Sequence, residues 1–345
     1  MNFYVTDSID PGQMHAGPKA RTDAEEIMRD RGYRALELPR AAKSGPSAAK
    51  ARAYRRAYDS WDAEEEFGLV VFQYPMPDVL PNLAALPERF GRHKSVALVH
   101  DLDSVRFPNG GANNVRAVLA DRLLLPRFDF YISHNAAMTD LLVRRGIPGD
   151  RVVALGAFDY LAEGHAELVA DRPYELVVAG SLDTEKCGYL LELPDAVRRT
   201  AVRLYGVQVG PQPEAPNVEY AGAFQPAELV ARLRGSFGLV WDGTTAKTCA
   251  GRFGEYLRYN DPHKLSLYLA AGMPVVTWRK AAVAPFVKSR GLGVLVDSLD
   301  QVDDVLEGIG PAEYAQLAAN AALEGERIRA GAHLRGALAD LEARL

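Results

Sequence analysis

Cysteine is almost missing from this chain. Cys187 and Cys249 are the only two among 345 residues, too few and too far apart for a disulfide framework. Their expected state is the reduced thiol of a cytosolic protein. Long apolar runs are missing as well, none approaching the ~20 residues that span a bilayer. The stretch from Met1 to Asp7 enters a strand pattern directly, without the basic and apolar segments of an export signal. There is no excess of positive charge: a formal net charge of −5 argues against a dedicated nucleic-acid binder. The glycine fingerprint G-x-G-x-x-G is absent after the first strand pattern, where the chain reads Asp7-Ser8-Ile9-Asp10-Pro11-Gly12. No phosphate-loop motif, G-x-S-x-G elbow or paired-cysteine metal site occurs. Together these absences exclude conventional dinucleotide enzymes, P-loop enzymes, serine hydrolases of the elbow type and zinc modules. They leave the expectation of a soluble, cytoplasmic protein.

What is present is an ordinary globular composition, 48% apolar and 25% charged. This length predicts two domains of roughly 150 residues each. Strand patterns at Phe3–Thr6, Ala35–Leu38, Leu69–Gln73, Val96–His100, Asp129–Ser133 and Val152–Leu155 alternate with helical stretches at Ala20–Arg31, Ala48–Trp61, Asn113–Leu125 and Asn135–Arg145. After a break near Phe158–Arg172 the alternation restarts. Strands follow at Glu175–Ala179, Ala201–Tyr205, Phe237–Trp241, Val275–Thr277 and Gly293–Val296, with helices around Ala227–Arg234, His263–Ala271, Ala282–Ser289 and Gln301–Gly308. Continuous apolar strands between amphipathic helices indicate parallel sheets covered on both faces. The expected fold is α/β: two Rossmann-like domains, 1–158 and 159–328, facing across a cleft, then a C-terminal helix, 329–345. Ligands of such folds bind at the carboxyl edges of the sheets.

The most informative segment is Asn260 to Val276, NDPHKLSLYLAAGMPVV. Asn260 or Asp261 is expected to cap a helix, Pro262 to fill its first position, and Gly272 to end it before a buried strand. His263 and Lys264 then fall in the first turn, where a cation is unfavourable unless an anion is shared with the helix N-terminus. A diphosphate is such an anion. The alternative is a solvated lysine on an ordinary helix start. Three further loops are placed at the same sheet edge. Gly180, Ser181 and Lys186 offer amides and an ammonium to phosphate oxygens. Phe224, in YAGAFQP, offers either a stacking face for a base or a core aromatic. Asp242 follows the strand FGLVW and opens a segment, Gly243–Tyr259, expected to be a mobile lid.

In the first half, His100 and Asp101 end a strand and are candidates for taking a proton from an acceptor hydroxyl. Otherwise Asp101 caps the next turn and His100 is a hydrogen-bonded buried side chain. Asp7, His15, Gln73 and Tyr74 are expected on the acceptor side of the same edge, and His134-Asn135 reads equally well as a helix cap. The pair Asp101-x-Asp103 also resembles the metal-binding acids of the other large glycosyltransferase fold, but a lysine helix in a separate downstream domain argues for a metal-free site. Between Leu38 and Tyr58 there are no acids. Arg40, Lys43, Lys50, Arg52, Arg55 and Arg56, with Tyr54 and Tyr58, form a patch suited to anionic lipid headgroups or to a plain solvated face.

The strings VTDSIDPGQ, LVVFQYPMPD, SVALVHDLDSVRF, SFGLVW and YNDPHKLSLYLAAGMPVVTW, in this order, resemble bacterial glycosyltransferases of the GT-B fold. The resemblance is to galactofuranosyltransferases of surface-polysaccharide synthesis and to the glucosyltransferase that extends GlcNAc on serine-rich adhesins. It implies a UDP-sugar donor as substrate in the second domain, a glycan acceptor, lipid-linked or protein-linked, in the first, no cofactor or essential metal, and inversion at the anomeric carbon. It also allows a homo-oligomer, as the adhesin-modifying members form, while the basic patch between Leu38 and Tyr58 is what allows peripheral contact with the inner membrane face. The family's donor lysine falls on Lys264, its basic residue after the first donor-domain strand on Lys186, and its aromatic on Phe224. Ser266 lies within the matching donor string. The early loop reads Gln13-Met14-His15-Ala16-Gly17, where some members hold Thr and Ser near the donor. Rival readings are a UDP-sugar epimerase of the same architecture, a metal-dependent transferase using Asp101 and Asp103, and a non-catalytic partner subunit.

Overall fold

The computed structural model describes residues 1–6, 16–38, 47–61, 68–88, 90, 92–108 and 112–345. The chain forms two compact units. The first comprises Met1–Pro11, Arg21–Leu155 and Leu334–Leu345, and the second Gly12–Ala20 and Gly156–His333.

The first unit holds a six-stranded parallel sheet of β1 (Phe3–Val5), β2 (Arg34–Leu36), β3 (Leu69–Tyr74), β4 (Lys94–Val99), β5 (Phe130–Ser133) and β6 (Val152–Ala154), in the order β2-β1-β3-β4-β5-β6. All six residues of β3 are buried, because a parallel sheet is covered on both faces and needs no polar side. The helices are α1 (Ala16–Asp30), α2 (Ser47–Trp61), α3 (Val79–Ala85), α4 (Asp103–Arg106), α5 (Ala112–Leu119) and α6 (Ala136–Arg144). On α2, Lys50, Tyr54 and Tyr58 recur every four residues and share one buried face. Lys50 Nζ and the Tyr54 hydroxyl each donate to Asp78 at 2.9 Å. Asp78 heads α3 in a left-handed conformation, φ 52°, and those two donors hold it there. Lys50 therefore leaves the predicted basic patch and becomes part of the packing, while Arg52, Arg55 and Arg56 stay exposed. Asn135 caps α6, its Oδ1 accepting from Met138 N–H at 3.0 Å, so the cap alternative holds at this position.

The second unit is a six-stranded parallel sheet of β7 (Glu175–Ala179), β8 (Ala201–Tyr205), β9 (Val218–Gly222), β10 (Phe237–Val240), β11 (Val275–Trp278) and β12 (Gly293–Val296), ordered β9-β8-β7-β10-β11-β12. That is the doubly wound Rossmann order, and its strand direction of growth reverses between β7 and β10. Its helices include α7 (Pro226–Arg232), α8 (Gly251–Tyr256), α9 (His263–Ala270), α10 (Ala284–Arg290), α11 (Val302–Gly308), α12 (Pro311–Arg329) and α13 (Ala332–Glu342), the last running from this unit into the first. Helix α9 is buried from Leu265 to Ala270 and lies on the sheet so closely that a Cβ on Gly238 of β10 would meet the Tyr268 ring at 2.1 Å. Only glycine fits there.

Two expectations about organisation change. The final helix is not a separate appendage. Its Glu342 accepts hydrogen bonds from Asn2 at 3.0 Å, the Tyr33 hydroxyl at 2.7 Å and Arg31 Nε at 3.2 Å, all in the first unit. The units part at Leu155 and Gly156, a few residues before the predicted 158.

Candidate functional site

The second unit concentrates charge where its sheet order reverses. After β7 the chain passes through Gly180 and Ser181 to Lys186, and after β10 it reaches Asp242. The two loops are stitched by backbone bonds, Gly243 N–H to Lys186 O at 2.8 Å and Tyr189 N–H to Gly243 O at 3.1 Å. That fixes Lys186 beside Asp242, with Nζ to Oδ2 at 3.8 Å. Lys264 enters from the first turn of α9 and donates to Asp242 Oδ1 at 2.7 Å and to Trp241 O at 2.8 Å. The Lys264 and Asp242 side chains are only 8% and 7% exposed. Burial alone works to lower the Lys264 pKa, but the Asp242 carboxylate outweighs it and the ammonium is held charged, above its ordinary value. Burial pushes the Cys187 thiol, 3.9 Å from Asp242, up to about 11, so it stays a thiol.

Two cations on one carboxylate leave a net positive charge in a largely enclosed place. A buried uncompensated charge is costly, so the arrangement favours an anion. The helix start adds to this. Pro262, not Asn260 or Asp261, occupies the N-cap, and no side chain caps α9. The proline has no side-chain acceptor to offer; Leu265 N–H bonds Pro262 O at 2.9 Å, and the His263 and Lys264 amides are left for another partner. The lysine is therefore neither solvated nor bare: it is buried and already shares one anion, Asp242.

The other donor-side candidates are placed as follows. His263 sits in the same first turn with its ring 5.0 Å from that of Tyr160 and 6.0 Å from that of Phe158. Burial, helped by the nearby Lys19 ammonium, lowers its pKa to about 3, so it is neutral. Lys19, which sequence reasoning missed, is contributed to this unit by the segment Gly12–Ala20. Its Nζ lies 4.8 Å from the centre of the Tyr160 ring. Ser266 is buried on α9, Ser181 is exposed, and Asn260 is half-buried beside the helix start. Phe224 packs against the core, with Tyr205 6.4 Å away and the Arg232 guanidinium 5.6 Å over its ring, which favours the core reading. The segment Gly243–Tyr259 is packed, contrary to the lid expectation. Cys249, Tyr256 and Leu257 are buried, and a Cβ on Gly254 would strike the Cys249 carbonyl carbon at 2.4 Å. Small residues that read as flexibility in sequence here permit close packing.

In the first unit the chemistry sits at the carboxyl edge of β3 and β4. His100 bonds Gln73 through Nε2 and Oε1 at 2.8 Å, and Gln73 donates to Glu25 at 3.1 Å. Asp101 is ion-paired to Arg106 at 2.6 Å, with both side chains half-buried. Tyr74 is fully buried and its hydroxyl bonds Asp121, so it is a core residue and not an acceptor-side one. Asp121 also accepts from Ser104 at 2.5 Å and Arg145 at 3.1 Å. Asp103, first residue of α4, differs from both aspartates. It is half-buried, and among the described residues its carboxylate takes part in no hydrogen bond or ion pair. Burial first, then the Asp101 carboxylate, raises its pKa to about 6. Asp7 and His15 lie outside the described residues. Among the described residues no three His, Cys, Asp or Glu side chains gather in a metal-holding group.

Comparison with known proteins bears on family and fold. The models of the glucosyltransferase 3-like N-terminal and C-terminal domains match residues 2–157 and 176–341. The chain is 29% identical over 343 residues to the β-1,6-galactofuranosyltransferase WbbI of Escherichia coli (strain K12), covering 98% of each chain. It is 28% identical over 234 residues to glucosyltransferase 3 of Streptococcus gordonii, covering 65% of this chain and 63% of that one. Anabaena Alr3699/HepE, solved with UDP and glucose, superposes with a TM-score of 0.60 at 12% identity over 99% of both chains, a likeness of fold. The two matched domain models, the two Rossmann-like units and the GT-B neighbours converge: this chain is a member of the glucosyltransferase 3-like family of glycosyltransferases.

Proposed function

We propose that the chain moves a hexose, galactofuranose or glucose, from a UDP-sugar to a hydroxyl of a glycan acceptor in surface polysaccharide or glycoprotein synthesis. One observation carries this reading: Lys264, Lys186 and the uncapped start of α9 converge on Asp242 at the switch point of the second sheet. The departing diphosphate gains most from fixed positive charge, since its negative charge grows as the bond to the sugar breaks. Lysines and helix amides supply that charge without a metal. The transfer proposed is inverting, with a first-unit carboxylate taking the acceptor's proton. The exposed Arg52, Arg55 and Arg56 stripe on α2 gives the enzyme a contact for anionic headgroups.

A charge-assisted contact contributes about 1.5–3 kcal/mol. Lys264→Ala is therefore expected to weaken UDP binding roughly 10- to 150-fold at tenfold per 1.4 kcal/mol. Titration calorimetry on the folded variant checks this, and unchanged affinity removes the site. Transfer should survive excess EDTA. Loss of turnover that magnesium or manganese restores would contradict the metal-free reading.

A further inference from the structure

We infer that Asp103, not its neighbour Asp101, is the general base that takes the proton from the acceptor hydroxyl. This rests on the reading of the chain as an inverting UDP-hexose transferase and names the residue that performs the step.

The argument is one of contrast among three carboxylates within one sheet edge. Asp121 is committed: Tyr74, Ser104 and Arg145 all donate to it, and its side chain is 2% exposed. Asp101 is committed in another way, since the Arg106 guanidinium sits on Oδ2 at 2.6 Å. That ion pair occupies the side of the carboxylate that an acceptor hydroxyl would have to reach. Of the three, only Asp103 has neither carboxylate oxygen bonded by a neighbour among the described residues. It stands at the N-terminus of α4, after β4, next in the sheet to β3 and one strand from the point where the order reverses between β1 and β3. Substrates of open α/β sheets bind outside that edge.

The charged and titratable groups facing Asp103 come from four elements. Asp101 and Asp121 raise its proton affinity, while Arg106 on α4 and Arg21 on α1 lower it, and the Tyr74 hydroxyl from β3 stays neutral. Burial is the largest effect. The outcome is a carboxyl that titrates near about 6, ionised at neutral pH yet basic enough to accept a proton as the transition state forms. In the step, the Asp103 carboxylate takes the hydroxyl proton as the acceptor oxygen bonds the anomeric carbon. The bond from that carbon to the diphosphate oxygen breaks, and its electron pair leaves on UDP. The proton on Asp103 passes to solvent.

The test uses the full chain with UDP-galactofuranose and UDP-glucose as donors and octyl glucosides as acceptors. UDP release, product anomer and UDP affinity are measured from pH 5 to 8.5. The wild type should lose kcat/KM below a limb near pH 6 and give the inverted anomer. Asp103→Asn should bind UDP within about twofold of wild type, lose at least 100-fold in transfer, and show no acid limb. Asp103→Glu, which keeps the carboxylate, should recover part of the loss. Asp101→Asn should lose less than tenfold and keep the limb. The assignment is overturned by an acid limb that persists in Asp103→Asn, by near-normal transfer in that variant, or by retention of the donor's configuration. A wild type that binds UDP but turns over neither donor overturns the transferase reading itself, a different failure from a fully active Asp103→Asn.

Discussion

The two sheet edges handle charge in opposite ways. At the edge of the second unit every charged group is held: Lys264 by Asp242 and a carbonyl oxygen, Lys186 by the far oxygen of the same carboxylate. At the edge of the first unit, one carboxylate, Asp103, is enclosed without a partner among the described residues. The first arrangement suits binding. A socket whose cations are fixed before the ligand arrives does not have to reorganise around the leaving diphosphate. The second suits proton transfer, which needs an occupant that gains by changing its charge. Holding a group is a different task from leaving it reactive, and in the proposed function the two units divide the tasks.

The contrast breaks most visibly at Asp242. Asp242→Ala strands a buried ammonium and should cost about 3–5 kcal/mol of stability, read by urea unfolding. Replacing both partners, Asp242→Asn with Lys264→Met, should recover most of that stability while leaving UDP binding as weak as in Lys264→Ala. If the double variant binds UDP normally, the cluster is only scaffolding.

The effect at Asp103 has the opposite sign. Its folded pKa, about 6, lies above the unfolded 3.8, so the folded state favours the protonated form. The stability this contributes is complete below about pH 3.8 and is lost as pH rises through about 6. At pH 7.5 the ionised group is a burden of at most about 3 kcal/mol, by 1.36 kcal/mol per unit. Asp103→Asn should therefore melt several degrees higher than wild type at pH 7.5, at roughly 2–4 °C per kcal/mol for chains of 150–250 residues. The two should melt together near pH 4. Equal melting temperatures at both values would mean that the carboxylate is not strained by its surroundings. The smallest change is expected at Lys186, whose side chain is 30% exposed and screened by solvent. Lys186→Ala should weaken UDP binding only about 2- to 5-fold, the range of a surface ion pair worth 0.4–1 kcal/mol.

Much of this architecture was legible in the chain. The strands at Glu175–Ala179, Ala201–Tyr205 and Gly293–Val296 fall where the apolar runs place them, because parallel buried strands advertise themselves by continuous hydrophobicity. The strand Val218–Gly222 did not, since it is an edge strand with exposed Glu219 and Tyr220 and lacks such a run. The place of Lys264 in the first turn of a helix at the sheet edge was legible. Its partner was not. Asp242 lies 22 residues earlier, and charges at the ends of neighbouring strands carry no periodic signature. A retrospective clue exists: an acid directly after FGLVW and a lysine two residues into the next long helix both sit at the carboxyl edge. The packed Gly243–Tyr259 segment and the buried Tyr74 were misread for one reason, that small or polar residues in a loop pattern do not reveal whether tertiary packing will fill the space around them.

The return of α13 to the first unit bears on how the chain is made. Tyr33, Arg31 and Asn2 receive their shared acceptor from Glu342, and the segment carrying it begins about 180 residues after Leu155. At ribosomal speeds of ~5–20 residues per second, an early-emerging sheet waits roughly 10–35 s for its last helix. A nascent chain stalled near residue 330 would thus carry every strand of both sheets, while the first unit still lacked the helix that supplies Glu342, and it is this unit that chaperones would be expected to hold.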